Sequence, residues 1–123
     1  MGERKVKLVS IQQAVETISD NSGLLICGSL IRRHPMALIH EIIRQKKKGL
    51  TLYGWNNSID FDMLIGCNAV KEANSSYVGL ANVGMCKNFR RACENQEIRW
   101  VEHSETTVID RLYAGYQGLT FAN

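Results

Sequence analysis

Short continuous apolar runs alternate with helix-period stripes along the whole chain, and this alternation limits the fold more than any other feature of the sequence. "LLIC" (Leu24 to Cys27), "LTLYGW" (Leu50 to Trp55), a more polar run inside "AVKEANSSYVGL" (Ala69 to Leu80) and "EIRWVEH" (Glu97 to His103) read as strands. Between and around them lie "SIQQAVETIS" from Ser10, the stretch after Pro35, "IDFDMLIG" (Ile59 to Gly66), "CKNFRRACENQ" (Cys86 to Gln96) and "SETTVIDRLYAGYQG" from Ser104, all with helical character. The resulting order, α-β-α-β-α-β-α-β-α, predicts one α/β domain over residues 1–123. Its sheet is expected to be open, mostly parallel and flanked by helices, with right-handed connections.

Local signals support these assignments. Ser10 and Gln13 have capping-box spacing, and Ile11, Ala14, Val15 and Ile18 form a stripe behind them. "DNSG" (Asp20 to Gly23) breaks the chain. "LLIC" has the unbroken apolar character of a strand buried on both faces. Pro35, the only proline, suits the first position of a helix whose inner face is Leu38, Ile39, Ile42 and Ile43. Lys46, Lys47 and Lys48 suit its solvated C-terminal end, with Gly49 as its cap. "NNS" (Asn56 to Ser58) reads as loop, Gly66 closes the next helix, and Ser104 caps the last one. Trp55 and Trp100 read as core residues.

Composition narrows the function classes. The chain of 123 residues is 45% hydrophobic and 22% charged, ordinary globular values. A formal charge of +3 is compatible with a small anionic ligand and too weak to point to nucleic acid. No apolar run approaches the ~18 residues of a membrane span. The charged start, "MGERKVKLVS", lacks the apolar middle of a secretion signal, so a cytoplasmic protein is expected. Cys27, Cys67, Cys86 and Cys93 show no CxxC spacing, and His34, His40 and His103 are scattered. Neither a metal site nor a disulfide framework is expected, and the thiols read as small reduced hydrophobes. Cys86 and Cys93, seven apart, would share one helix face.

The stretch "LLICGSLIRRHP" concentrates the candidate chemistry. In open α/β sheets ligands bind at the carboxyl ends of strands. Gly28 lets a backbone come close to a ligand. The free N–H groups of the helix after Pro35 favour an anion, and Arg32 and Arg33 add fork-shaped cationic donors. The same residues also fit an ordinary solvated loop. Neither a GxGxxG nor a Walker fingerprint is present.

"DNSGLLICGSLIRRHP" resembles the first signature of the α-subunit of family I coenzyme A transferases. Asp20, Asn21, Leu24, Leu25, Ile26, Gly28 and Pro35 fall in register with it. Cys27 stands for the first glycine of its Gly-Gly-Phe, Ser29 for the phenylalanine and Arg33 for a later glycine. "DFDMLIGCNAVKEANSSYVGL" (Asp60 to Leu80), "KNFRRACENQEI" and "YAGYQGLTF" are similar to successive segments of the glutaconate CoA-transferase branch, so the likeness runs over about residues 8 to 121. It corresponds to the N-terminal part of such a subunit.

The resemblance implies a CoA-transferase-like fold and a subunit that helps move coenzyme A between an acyl-CoA thioester and a carboxylate. Coenzyme A thioester enters as substrate, with no permanently bound cofactor. The implied partner, in a hetero-oligomer, is a β-subunit whose glutamate attacks the acyl-CoA and forms a glutamyl-CoA thioester. The present chain has no Glu-x-Gly segment to supply that nucleophile. Gly28 and Ser29 would face the site as the oxyanion loop, with Arg32 and Arg33 beside them. Asn56, Asn57 and Ser58, where relatives have a glycine-rich loop, either hydrogen-bond the thioester or make an Asx turn. Some relatives are ring-opening hydrolases of CoA thioesters that use an α-subunit glutamate. Glu105 aligns best with it and would act as a general base if burial raised its pKa. Glu105 equally suits the first turn of a helix capped by Ser104. A non-catalytic ligand-binding or interaction module of the same fold is the third reading.

Overall fold

The computed structural model describes residues 8–121, so Met1 to Lys7, most of the segment read as lacking a secretion signal, lie outside it. In chain order the elements are α1 (Ile11–Glu16), β1 (Gly23–Leu25), α2 (Met36–Arg44), β2 (Leu50–Tyr53), β3 (Asn56–Asn57), α3 (Ile59–Gly66), β4 (Val70–Ser75) and β5 (Tyr77–Val78). A 3₁₀ turn (Ala81–Val83), α4 (Lys87–Glu94), β6 (Arg99–Glu102) and α5 (Glu105–Gln117) complete them. Among the described residues no helix is long and apolar enough to cross a membrane.

Four strands form one parallel sheet in the order β1-β2-β4-β6. Because each strand is added on the same side of the last, right-handed crossovers place the connecting helices on one face. Leu24, Leu52, Ala73 and Trp100 are register partners across that face. Val15 of α1, Ile39 and Ile42 of α2, Phe61, Leu64 and Ile65 of α3, and Phe89 and Ala92 of α4 close over it in one core. Phe89 meets Trp100 edge-on, with ring centroids 4.8 Å apart. Trp100 thus packs on the core, whereas Trp55 is half-buried and its indole N–H has no partner among the described residues.

The opposite face carries the alternate partners Leu25, Tyr53, Asn74 and Val101, and among the described residues no such helical layer covers it; α5 only borders it through Val108 and Leu112. The expectation of a doubly buried first strand therefore fails. β1 is an edge strand, Leu25 is 52% exposed, and of "LLIC" only Ile26, just past the strand, is fully buried.

Helix ends follow the local chemistry. Ser10 and Gln13 form the capping box in both directions, and the Ser104 hydroxyl accepts from Thr107 N–H. Pro35 is the N-cap residue of α2 rather than its first helical residue. That helix stops at Arg44 with Gln45 as its C-cap and Lys46 in the left-handed region at φ 56°. The lysines therefore follow the helix, and Gly49 serves the turn into β2 instead of capping. Cys86 is the N-cap of α4 rather than a residue inside it, and Cys86 and Cys93 both pack against the core. Cys86 is buried, but Cys27 and Cys67 are exposed and do not act as core hydrophobes.

The "NNS" loop and the third strand also resolve differently. After Tyr53 and after Ser75 the chain breaks and restarts, and β3 pairs in parallel with β5 through Asn56–Tyr77 and Asn57–Val78. The two segments extend the sheet past its carboxyl rim. The break needs glycine at position 54, because the Asn57 side chain occupies the place where a Cβ would project.

Candidate functional site at the carboxyl rim of the sheet

The chain leaves β1 through Ile26, whose N–H donates to Tyr53 O at 2.9 Å, so Cys27 and Gly28 emerge at the carboxyl rim. Ser29 and Arg32 then exchange two backbone bonds of 2.9 Å each, closing a tight turn over Leu30 and Ile31. Leu30 N–H donates to Asn56 O at 2.9 Å and ties the turn to β3. Leu30 and Arg33 lie in the left-handed region, at φ 51° and 62°. Two such non-glycine residues in four mark a loop whose surroundings hold a costly shape. Arg32 and Arg33 are exposed, and neither forms an ion pair among the described residues. The Ser29 N–H is committed to the turn. Among the described residues the N–H groups of Cys27 and Gly28 donate to no backbone group.

Under this loop lies a layer of buried polar side chains, Asn57, Ser58, Asp60 and Ser75, each 1% exposed or less. Asp60 organises it: Oδ1 accepts from Ser58 N–H at 2.8 Å and Oδ2 from Asn57 Nδ2 at 2.9 Å. The Ser75 hydroxyl faces Trp55 O at 2.6 Å, Asn57 Oδ1 at 3.1 Å and Tyr77 O at 3.1 Å, and its one hydrogen serves one of them at a time. His34 reaches the same layer. Its side chain is 2% exposed, and Nδ1 lies 3.0 Å from Asp60 Oδ2.

A second group gathers at the start of α5. Glu105 is exposed in the first turn, and its Oε1 accepts from Asn56 Nδ2 at 3.1 Å. Arg111 lies across His103, with Nη1 3.2 and 3.4 Å from the two ring nitrogens. Burial, and then the Arg111 guanidinium, lower the His103 pKa below its ordinary value, which favours the neutral ring. These two residues, with Val108 and Leu112, share a cavity of about 460 Å³ with the open sheet face at Leu25, Tyr53, Asn74 and Val101. Far from solvent, the Cys86 thiol is pushed up to about 12 by burial and then by the carboxylates of Asp62 and Asp60.

Of the residues singled out in the sequence, Gly28, Ser29, Arg32, Arg33 and Asn56 meet at the rim, and Glu105 joins them through Asn56. Asn57 and Ser58 fall inside, in the supporting layer, with their polar atoms already partnered. Sequence reasoning missed His34 and Asp60. Asp60 had a signal: an acid two residues after Ser58, in the first turn of the "IDFDMLIG" helix. His34 had none that separates it from a solvated loop histidine. Among the described residues no three His, Cys, Asp or Glu side chains gather as a metal site.

The family model described as coenzyme A transferase matches residues 8–123. The chain is 30% identical over 119 residues to the A-type subunit of 3-oxoadipate CoA-transferase from Pseudomonas knackmussii, covering 94% of this chain and 42% of that protein. It is 28% identical to the A-type subunit of glutaconate CoA-transferase from Acidaminococcus fermentans, covering 94% and 37%. The crystal structure of glutaconate coenzyme A-transferase from that organism superposes with a TM-score of 0.87 at 26% identity, covering 94% of this chain and 37% of that one. A structure of the decarboxylase AibA/AibB superposes with a TM-score of 0.86 at 29% identity, over 90% and 44%. The chain thus spans about two-fifths of the length of these two curated relatives.

Proposed function

The chain belongs to the coenzyme A transferase family, and from that premise we propose that it is the acyl-CoA-facing part of an A-type subunit, working with a partner polypeptide that carries the nucleophilic carboxylate. In this reading the partner's glutamate attacks the thioester carbonyl carbon and the C–S bond breaks, releasing the coenzyme A thiolate. The thiolate then attacks the glutamyl carbonyl of the resulting anhydride, which frees the first carboxylate and leaves glutamyl-CoA. The same steps in reverse deliver coenzyme A to the acceptor carboxylate.

The present chain would supply positioning and charge. The observation that carries the reading is the rim loop. Cys27 and Gly28 present N–H groups with no backbone acceptor among the described residues, beside two guanidiniums that form no ion pair there, at the end of a strand where α/β sheets bind ligands. The oxyanion donors are then Cys27 N–H and Gly28 N–H. Ser29 N–H, assigned to that role from the sequence, is already bonded within the turn. Arg32 and Arg33 would meet the phosphates or the carboxylate of the substrates as charge-assisted donors.

The test is transfer of coenzyme A from acetyl-CoA to a panel of free mono- and dicarboxylates, followed by mass spectrometry, with the glutamate-bearing partner added. Transfer is expected only with both chains present. An assembled, folded complex that transfers to no acceptor removes the reading. Coenzyme A binding without turnover in any pairing would favour the binding module.

The Asn56–Glu105 hydrogen bond favours a second reading, a CoA-thioester hydrolase. Asn56 links Glu105 directly to the turn, since its carbonyl also holds Leu30 N–H. The described residues leave Glu105 exposed, so the burial a general base needs would come from another polypeptide. In this reading Glu105→Ala abolishes thioester hydrolysis with assembly intact, whereas a transferase keeps its turnover.

A further inference from the structure

We propose that His34 is a positioning residue, a buried post that holds the Ser29–Arg32 turn at its fixed height above Asp60. The importance of that turn rests on the reading just given, but the post is argued from its own contacts.

The ring is enclosed, with His34 2% and Asp60 0% exposed at the side chain. Nε2 meets the Leu30 carbonyl, and Nδ1 lies 3.0 Å from Asp60 Oδ2. A carbonyl oxygen only accepts, so Nε2 carries hydrogen. The Nδ1 contact is close but too poorly aligned to be a hydrogen bond.

Asp60 is anchored independently, by Ser58 N–H and Asn57 Nδ2 at the start of α3. A continuous polar path therefore runs from the first turn of α3 through Asp60 and His34 to the carbonyl of Leu30. Leu30 is one of the two left-handed residues of the loop. The ring also explains the glycine before the turn. Gly28 has no positive φ, yet a Cβ on it would fall onto the His34 ring. Glycine is required there for close approach, not for conformation.

Two measurements test the post, and neither uses coenzyme A or a partner chain. Failure of the transferase reading would leave them untouched, and their failure would leave that reading standing. In the unmodified protein, long-range proton–nitrogen correlation of the His34 ring is expected to show a protonated Nε2, and a bare Nε2 overturns the proposal. By amide hydrogen exchange, His34→Ala should accelerate Ser29, Leu30 and Arg32 by about tenfold or more, while the core amides of Leu52 and Ala73 keep their rates. Gly28→Ala should release the same three amides in the parent, and add roughly threefold or less in the His34→Ala background, because the obstructing ring has gone. Unchanged loop exchange, uniform acceleration of loop and core together, or an undiminished Gly28→Ala effect in the double variant would each overturn it. If His34→Ala does not fold, the nitrogen measurement on the parent decides.

Discussion

The two faces of the sheet are built from the same strands by opposite rules. On the helix-covered face Leu50, Leu52 and Ala73 are completely buried beneath Phe61, Leu64 and Ile39. On the other face the residues between them, Thr51, Tyr53, Glu72 and Asn74, mix ring, amide and charge, and Arg99 reaches across to Glu72 at 3.1 Å. Parallel sheets in α/β proteins are ordinarily covered on both sides. Here the alternation of "LTLY" and "VKEANS" records a sheet with one apolar and one mixed face, a pattern more familiar from antiparallel sheets. Stability therefore resides on one side. The carboxyl rim, where candidate chemistry gathers, is supported from that same side by a buried polar layer.

The sharpest way to break this comparison is to empty the covered face. Phe61→Ala removes a fully buried ring between α3 and the sheet. It should lower unfolding free energy by about 3–5 kcal/mol in urea titrations. A loss under about 1 kcal/mol would mean that the helical layer is not the main source of stability. A smaller loss is expected from the polar layer. Ser75→Ala strips the donor shared among Trp55 O, Asn57 Oδ1 and Tyr77 O. Leaving buried acceptors short of a hydrogen should cost about 1–3 kcal/mol.

Cys86 gives a pH handle on the same covered side. Its folded pKa, about 12, lies above the ordinary 9.0, so the folded state binds the thiol proton more tightly than the unfolded chain does. The protein is then indifferent to this group below about pH 9 and loses stability as pH rises from about 9 towards 12. Near pH 10 the loss is of order 1 kcal/mol. Cys86→Ala should flatten that part of the stability profile relative to the parent. A parallel pair of profiles would show that Cys86 ionises freely in the folded state.

The same division explains what could be read from the sequence. The covered face was legible because apolar periodicity reports burial: the main strands, all five helices, the parallel α/β class and the Ser10 and Ser104 caps follow from it. The rim was legible only in part. Gly28, Arg32 and Arg33 announce themselves by residue type, but a two-residue strand such as Asn56–Asn57 is too short to carry a period. The inward turn of Asn57 and His34 depends on partners far along the chain. Ser75, for instance, reaches Asn57 across 18 positions. The open face misled for a related reason. An unbroken run such as "LLIC" implies two covered faces, and edge position with a missing layer is a property of the whole topology rather than of four residues.

The smallest expected effect sharpens the comparison most. Leu25→Ser and Tyr53→Ser alter side chains that are 52% and 44% exposed on the uncovered face. If that face meets water, little apolar surface is gained or lost on folding, and each substitution should change stability by about 0.5 kcal/mol or less, independent of protein concentration. Val108 and Leu112 of α5 border the same cavity, so Leu112→Ser should be similarly mild. A loss of several kcal/mol that is present in concentrated protein and fades as the protein is diluted would have a different meaning. It would show that the face is buried against another polypeptide in solution, because only an associating interface makes stability depend on concentration. Urea titrations of Leu25→Ser at two concentrations a hundredfold apart would separate a sheet that ends in solvent from one that is half of a larger core.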